Sequence, residues 1–203
     1  EVYFAELVKG LYVTNYETAK ALAELLDIGG KEQGLNILDV AGGSAVWSIA
    51  MLERDAGSRA TLLDYPMVIH VGESYVEKHG LQDRYEYYPG DLEELELPQN
   101  QYDMAILANI CHAIGPHTTQ NLFDKVFQTL KPGGKAVIID FVPDDERSKP
   151  GWPLIFGVNM LISTQEGDVY TDAQYRQWLG EKGFQSIKTH SLDSEVTVLV
   201  AEK

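Results

Sequence analysis

Apolar residues recur at helical spacing over residues 16–27, "YETAKALAELLD", where Ala19, Leu22, Ala23 and Leu26 share a face. This predicts a helix, and "GGKEQG" after it reads as a loop. Residues 36–41 form a short apolar run and predict a buried strand, followed by a helix over 44–54. "RATLLD" at 59–64 predicts a second strand. Pro66 suits the first turn of the next helix, which stops near Gly80. "RYEYYPGD" predicts a third strand, and "LPQNQ" closes the loop after it. "YDMAILANI" predicts a fourth strand without alternation, as a strand covered on both faces requires. A helix over 118–130 carries Leu122, Val126, Phe127 and Leu130 on one stripe and is stopped by "KPGG". "KAVIIDFV" predicts a fifth strand, "DDERSKPG" a polar loop, and residues 152–162 an apolar helix. Thr171 is a natural N-cap for a last helix ending near Gly183. "FQSIKTHSL" and "EVTVLVAEK" predict two closing strands in an antiparallel hairpin with a short polar turn. Strands alternating with helices predict an α/β fold, a doubly wound and mostly parallel sheet of seven strands.

At 203 residues, 44% hydrophobic and 23% charged, the chain has the composition of a globular domain. No apolar run is long enough to span a bilayer, so no membrane partner is expected. The opening "EVYFAELVKG" lacks the basic start and apolar run of a signal peptide. A single cysteine, Cys111, fits a reducing, cytoplasmic setting. The net charge of -15 repels phosphate backbones and argues against nucleic acid as a partner. The first residue is Glu1 rather than methionine, which leaves open a fragment, a processed product or a trimmed chain.

In an open parallel sheet, ligands bind beyond the C-terminal ends of the strands. The first such end is "DVAGGSA", where Gly42 and Gly43 let the backbone turn tightly and approach a ligand. It lacks the lysine and hydroxyl pair of a triphosphate loop and the full dinucleotide fingerprint. A turn with packing glycines alone would need the same residues. The second end carries Asp64, placed to accept hydrogen bonds from both hydroxyls of a ribose. The third carries Gly90, Asp91 and Leu92, a carboxylate and an apolar neighbour able to read an adenine. The fourth, "ANICHAIGPH", carries His112, a side chain that titrates near neutral pH and suits a general base. His117 lies closer to the next helix and reads as a solvent or capping residue. No metal-ligand spacing and no serine nucleophile elbow occurs.

In this order the strand ends resemble the class I S-adenosylmethionine-dependent methyltransferases. "ILDVAGGSA" is similar to their first motif, "LLDYPMVI" to the acidic second, "YYPGDLEELELP" to the third, and "LKPGG" to a frequent late signature. Asp-x-Pro after the second strand and His112 after the fourth narrow the likeness to the caffeate-type small-molecule O-methyltransferases. The resemblance covers nearly the whole chain. It implies a Rossmann-like methyltransferase domain over residues 31–203 after a helical lead-in over 1–30. The cofactor implied is S-adenosyl-L-methionine. Asp39, Gly42 and Gly43 would border its methionine end. Asp64 and Tyr65 would take the ribose, Gly90, Asp91 and Leu92 the adenine, and Asn109 and Ile110 the sulfonium. His112 would be the base, with Asp140 orienting or charging it. Trp152, Phe156, Asn159 and Met160 would face a flat aromatic acceptor, although a core or dimer helix has the same pattern. The resemblance also implies a homodimer through an N-terminal domain that these residues do not include.

The chain departs from the family pattern around the histidine. Ala113 and Ile114 replace the two residues that usually follow it, and Ala108 a basic residue four before it. Val169 stands where a second acidic support precedes the late helix. The reading is therefore methyl transfer to a hydroxyl of a small aromatic molecule. Alternatives are N- or C-methylation or a non-methylating reaction with the same cofactor, a non-catalytic S-adenosylmethionine-binding domain, and a nicotinamide-dependent dehydrogenase.

Overall fold

The computed structural model describes residues 2–192 and 195–203. The strands are β1 (Asn36–Val40), β2 (Arg59–Asp64), β3 (Tyr85–Pro89), β4 (Tyr102–Ala108), β5 (Leu130–Asp140), β6 (Gln185–Ser191) and β7 (Thr197–Glu202). The helices are α1 (Val2–Leu25), α2 (Val46–Arg54), α3 (Pro66–Lys78), α4 (Pro116–Thr129), α5 (Gly151–Ser163) and α6 (Asp172–Glu181). The strands form one sheet in the order β3-β2-β1-β4-β5-β7-β6. β1, β2 and β3 pair in parallel, whereas β7 runs antiparallel to both β5 and β6. This is the expected α/β architecture with its closing antiparallel pair. The turn expected between the last two strands falls on residues 193–194, outside the described residues. Among the described residues no helix is long and apolar enough to cross a membrane.

The chain divides into two compact units, Glu1–Leu95 with Tyr102–Ile106, and Glu96–Gln101 with Leu107–Lys203. In the first, β1 and β2 are buried almost throughout, which explains their unbroken apolar runs. The register pairs Val40 with Leu63 and Asp64 with Pro89. The C-terminal ends of β1, β2 and β3 are thus level, and their loops open along one edge. α1 is longer than its periodicity predicts, starting at Val2 rather than near Tyr16. Only Ala5 is buried in its first half, where Val2, Tyr3, Phe4, Leu7, Leu11 and Val13 are exposed. Apolar residues spread around that half leave no stripe to detect. Polar links tie α1 down, among them Tyr12 Oη to His79 Nε2 at 2.5 Å, Tyr16 Oη donating to Glu53 Oε2 at 2.8 Å, and Tyr75 Oη donating to Lys9 O at 3.4 Å.

In the second unit, β7 and the end of β5 are core, while the edge strand β6 is polar along most of its length. Polar edges discourage pairing with another chain. β5 begins at Leu130, so "KPGG" belongs to the strand as well as ending the helix. Gly133 N donates to Lys203 O, and Lys203 N to Gly134 O, which pairs this stretch with the chain's last residues. α4 starts at Pro116, two residues before the expected 118, because proline suits a first turn whose N–H groups are unpaired. Thr171 caps α6 as expected, in a reciprocal capping box with Gln174. α6 turns Tyr175, Trp178 and Leu179 inward.

Candidate functional site

The three strand-end loops of the first unit are joined by hydrogen bonds. Gly43 N donates to Asp64 Oδ2 at 2.9 Å, and Tyr65 N to Asp64 Oδ1 at 2.7 Å. Gly90 N donates to Asp64 O, and Tyr65 Oη lies 3.4 Å from Asp91 Oδ2. Asp91 Oδ1 accepts from Glu93 N and shapes its own turn, with Leu92 partly buried beside it. Asp39, Gly42, Gly43, Asp64, Tyr65, Gly90, Asp91 and Leu92 therefore sit on one connected set of loops. A carboxylate has about four lone-pair positions. Asp64 uses two on the backbone, which leaves two for a ligand. Burial pushes its carboxyl up, while the Gly43 and Tyr65 N–H groups oppose that.

The first loop cannot accept a side chain at Gly42. A Cβ there would lie 2.5 Å from both Asp39 Cγ and Leu62 Cδ1. Gly43 has φ +60°. Ala41 and Ala45, at φ 49° and 60°, share that left-handed conformation, which costs a non-glycine residue roughly 1–2 kcal/mol. The alanines thus stand where the methyltransferases that the first motif resembles usually have glycine. α3 comes close because Gly72 has no side chain: a Cβ would meet Gly43 O at 3.0 Å.

Asp39 is completely buried. Its Oδ2 accepts from Ser48 Oγ at 2.5 Å, and Tyr85 Oη donates to Ser48 Oγ at 2.9 Å. Among the described residues its Oδ1 has no hydrogen-bond partner. Burial pushes the Asp39 carboxyl up to about 7, opposed by the Ser48 hydrogen bonds and reinforced by nearby Asp64. A buried acceptor without a donor fits a ligand that brings a positive charge, as the amino-acid end of S-adenosylmethionine does. It also has a cost for the ligand-free chain. A carboxyl raised on folding stabilises below its unfolded value near 4 and loses that contribution as pH rises through about 7. Between about pH 5 and pH 8 the ligand-free chain therefore loses roughly 2–3 kcal/mol relative to Asp39→Asn. Urea unfolding of both proteins at the two pH values checks this; parallel pH dependence would refute it.

In the second unit, His112 lies on a single 3-10 turn, Cys111–Ala113, just after β4. Asn109 turns the chain with φ 57°, and its N–H donates to Ile139 O at 2.9 Å. Ala113 N donates to Ile110 O, and Tyr170 Oη to Ile114 O. Gly167 packs on the turn so closely that a Cβ would lie 2.5 Å from His112 O. His112 is buried, with Nδ1 2.6 Å from Asp140 Oδ1 at the end of β5. Phe141 N also donates to Asp140 Oδ1, and Tyr175 Oη donates to Asp140 Oδ2 at 2.6 Å. An ionised carboxylate is acceptor only, so this arrangement puts the neutral imidazole's proton on Nδ1 and a lone pair on Nε2.

Phe156 sits edge-on to His112 with ring centroids 4.7 Å apart, and Phe141 bridges to Trp152. Trp152 and Asn159 are exposed on α5, whereas Met160 is buried. Val169 is buried against Gly157 and its carbonyl accepts from Arg147. The second support of the histidine pair comes from elsewhere, at Tyr175, one turn into α6. The sequence holds one signal for Tyr175, its place four residues after the N-cap Thr171, and a core aromatic would share it. His117 is exposed in the first turn of α4. Among the described residues no group of histidine, cysteine and acidic side chains could hold a metal.

Comparison with known proteins gives the family. Residues 7–185 match the model of the O-methyltransferase domain. Among curated proteins, the chain is 28% identical to a tetracenomycin polyketide synthesis 8-O-methyl transferase of Streptomyces glaucescens, over 71% of the chain and 42% of that protein. It is 30% identical to an L-tyrosine C(3)-methyltransferase of Streptomyces lavendulae, over 80% of the chain and 44% of that protein. The chain spans about half the length of the curated relatives it matches. A solved structure from Nostoc punctiforme, described as a candidate O-methyltransferase, superposes with a TM-score of 0.91 at 26% identity, over 98% of this chain and 60% of that one. Human N-acetylserotonin methyltransferase, solved with S-adenosylmethionine, shares the fold with a TM-score of 0.85 at 21% identity, over 98% of this chain and 55% of that one. The chain belongs to the S-adenosylmethionine-dependent O-methyltransferase family.

Proposed function

We propose that this protein transfers a methyl group from S-adenosylmethionine to a phenolic hydroxyl of a small aromatic molecule, with His112 as general base. The observation that carries the reading is the buried His112–Asp140 pair at 2.6 Å, directly after β4. S-adenosylmethionine supplies a methyl group on a sulfonium, which departs as a neutral thioether when the acceptor oxygen takes the methyl. Asp39 would face its amino-acid end, Asp64 and Tyr65 its ribose, and Asp91 with Leu92 its adenine. His112 Nε2 takes the acceptor's proton, and Asp140 stabilises the imidazolium that forms. Phe156 and Trp152 offer aromatic faces to the acceptor. The single, buried Cys111 supports a reducing, cytoplasmic setting, and the family likeness supports a homodimer.

C-methylation is a second reading, favoured by the tyrosine C(3)-methylating relative. Position 3 of tyrosine adjoins the carbon bearing the phenol, so removing the phenol proton activates that carbon too. Both readings use the same base. Calorimetry with S-adenosylhomocysteine, followed by incubation of the chain with S-adenosylmethionine and a panel of phenols, tests the proposal. The expected results are binding and a product one methyl heavier, with the methyl on oxygen by NMR. Binding of NADH in place of S-adenosylhomocysteine would refute it.

A further inference from the structure

Asp140 is shared. One of its oxygens faces His112 Nδ1, and the other accepts a hydrogen bond from a tyrosine that nothing in the reaction requires. Tyr175 is fully buried, and its ring packs against Phe123, Tyr170 and Trp178. A phenylalanine would fill the same apolar space, so the hydroxyl needs another explanation. Buried hydroxyls are retained where they have partners; this one accepts from the Cys111 thiol and donates to a buried carboxylate, and only the second contact bears a charge.

We propose that Tyr175 is a positioning residue: its hydroxyl holds Asp140 turned toward His112 and sets how tightly the His112–Asp140 pair binds its proton. The proposal rests on the functional reading above. The sign follows from charge. Without its proton the pair carries a net negative charge, and the Tyr175 hydroxyl stabilises that form. Removing the hydroxyl strengthens proton binding, so the active, unprotonated pair emerges only at higher pH. At 2.6 Å the two groups share one hydrogen bond, so the effect holds whichever partner carries the proton.

The other titratable groups around the pair do not supply this effect. Burial pushes the Cys111 thiol well up, with the Asp140 charge adding to it, so the thiol is neutral. Tyr170 is raised by burial first and by Asp168 next, and its hydroxyl is engaged with Ile114 O. Asp168 is paired with Arg147 at 2.9 Å. Burial also pushes Tyr175 well up, and Asp140 adds to it, so Tyr175 remains a donor. Phe141 and Phe156, the rings against His112, carry no charge.

The test compares wild type with Tyr175→Phe in two ways: kcat/KM for a phenol against pH, and the titration of the His112 ring by NMR in the ligand-free chain. Both midpoints should rise by about half a pH unit to one unit, a fraction of a hydrogen bond to a charged group, because the hydroxyl bonds the carboxylate in both states and only the difference is read. The affinity for S-adenosylhomocysteine should not change. In an Asp140→Asn background, adding Tyr175→Phe should cause no further shift. A uniform loss of activity with unmoved midpoints, or a shift that persists without the carboxylate, would overturn the proposal. If Tyr175→Phe does not fold, 3-fluorotyrosine installed at position 175 donates more strongly and should move both midpoints down; unmoved midpoints would again overturn it. If wild type methylates no phenol, the functional reading fails, while the NMR midpoints still decide the role of Tyr175.

Discussion

Replacing His112 by alanine should lower methyl transfer to a phenol by about 10²- to 10⁴-fold near neutral pH, with S-adenosylhomocysteine affinity essentially unchanged. A phenol titrates near pH 10, so only about a thousandth is ionised at pH 7. The geometry answers that shortage: Nδ1 is committed to Asp140 at 2.6 Å, which leaves Nε2 free to accept a proton. The deficit of the variant should shrink as pH rises toward about 10, because solvent then supplies the phenolate. Rates for both proteins across pH, with thermal unfolding as a control for the ring lost beside Phe156, check the assignment. Equal rates for the two folded proteins would remove His112 from the mechanism. A deficit independent of pH would make it a structural residue.

Much of this could be read from the chain because burial leaves a mark on local pattern. β1, β2 and β4 are covered on both faces, so they appear as apolar runs closed by polar or turn-forming residues. Arg59–Asp64 has the predicted bounds because Arg59 is exposed at one end and Pro66 follows the other. α1 was legible only where one face is buried, at Ala19, Leu22 and Ala23. "KPGG" hid the start of β5, since its pairing with the chain terminus lies more than sixty residues away in sequence. The site divides in the same way. Strand ends and glycines are local, so Gly42, Gly43, Asp64, Asp91 and His112 could be placed. The unpartnered Asp39 oxygen and the Tyr175–Asp140 bond depend on residues brought together by folding. No spacing announces them. The alanines of "DVAGGSA" fall between the two cases: their departure from glycine is visible, whereas the left-handed backbone they retain is not.

Asp64→Ala should weaken S-adenosylhomocysteine binding by about 10²-fold or more, since each hydrogen bond to a charged group contributes about 1.5–3 kcal/mol. Two losses combine. The two lone-pair positions open to ribose hydroxyls vanish, and the Gly43 and Tyr65 N–H groups lose the acceptor that ties the first and second loops together. Asp64→Asn should be weaker too, by roughly tenfold for one such bond. An amide keeps one oxygen, but its NH2 must then face one of those two N–H donors. An analogue lacking the 2'-hydroxyl separates the contributions. It should bind wild type more weakly than S-adenosylhomocysteine does, and lose less on Asp64→Ala than S-adenosylhomocysteine loses, because one hydroxyl that the carboxylate reads is already absent while the other hydroxyl and the loop contacts remain to be lost. If calorimetry finds additive losses, Asp64 serves the loop alone and the ribose is held elsewhere. If Asp64→Ala binds S-adenosylhomocysteine as wild type does, the second strand end has no part in holding the cofactor.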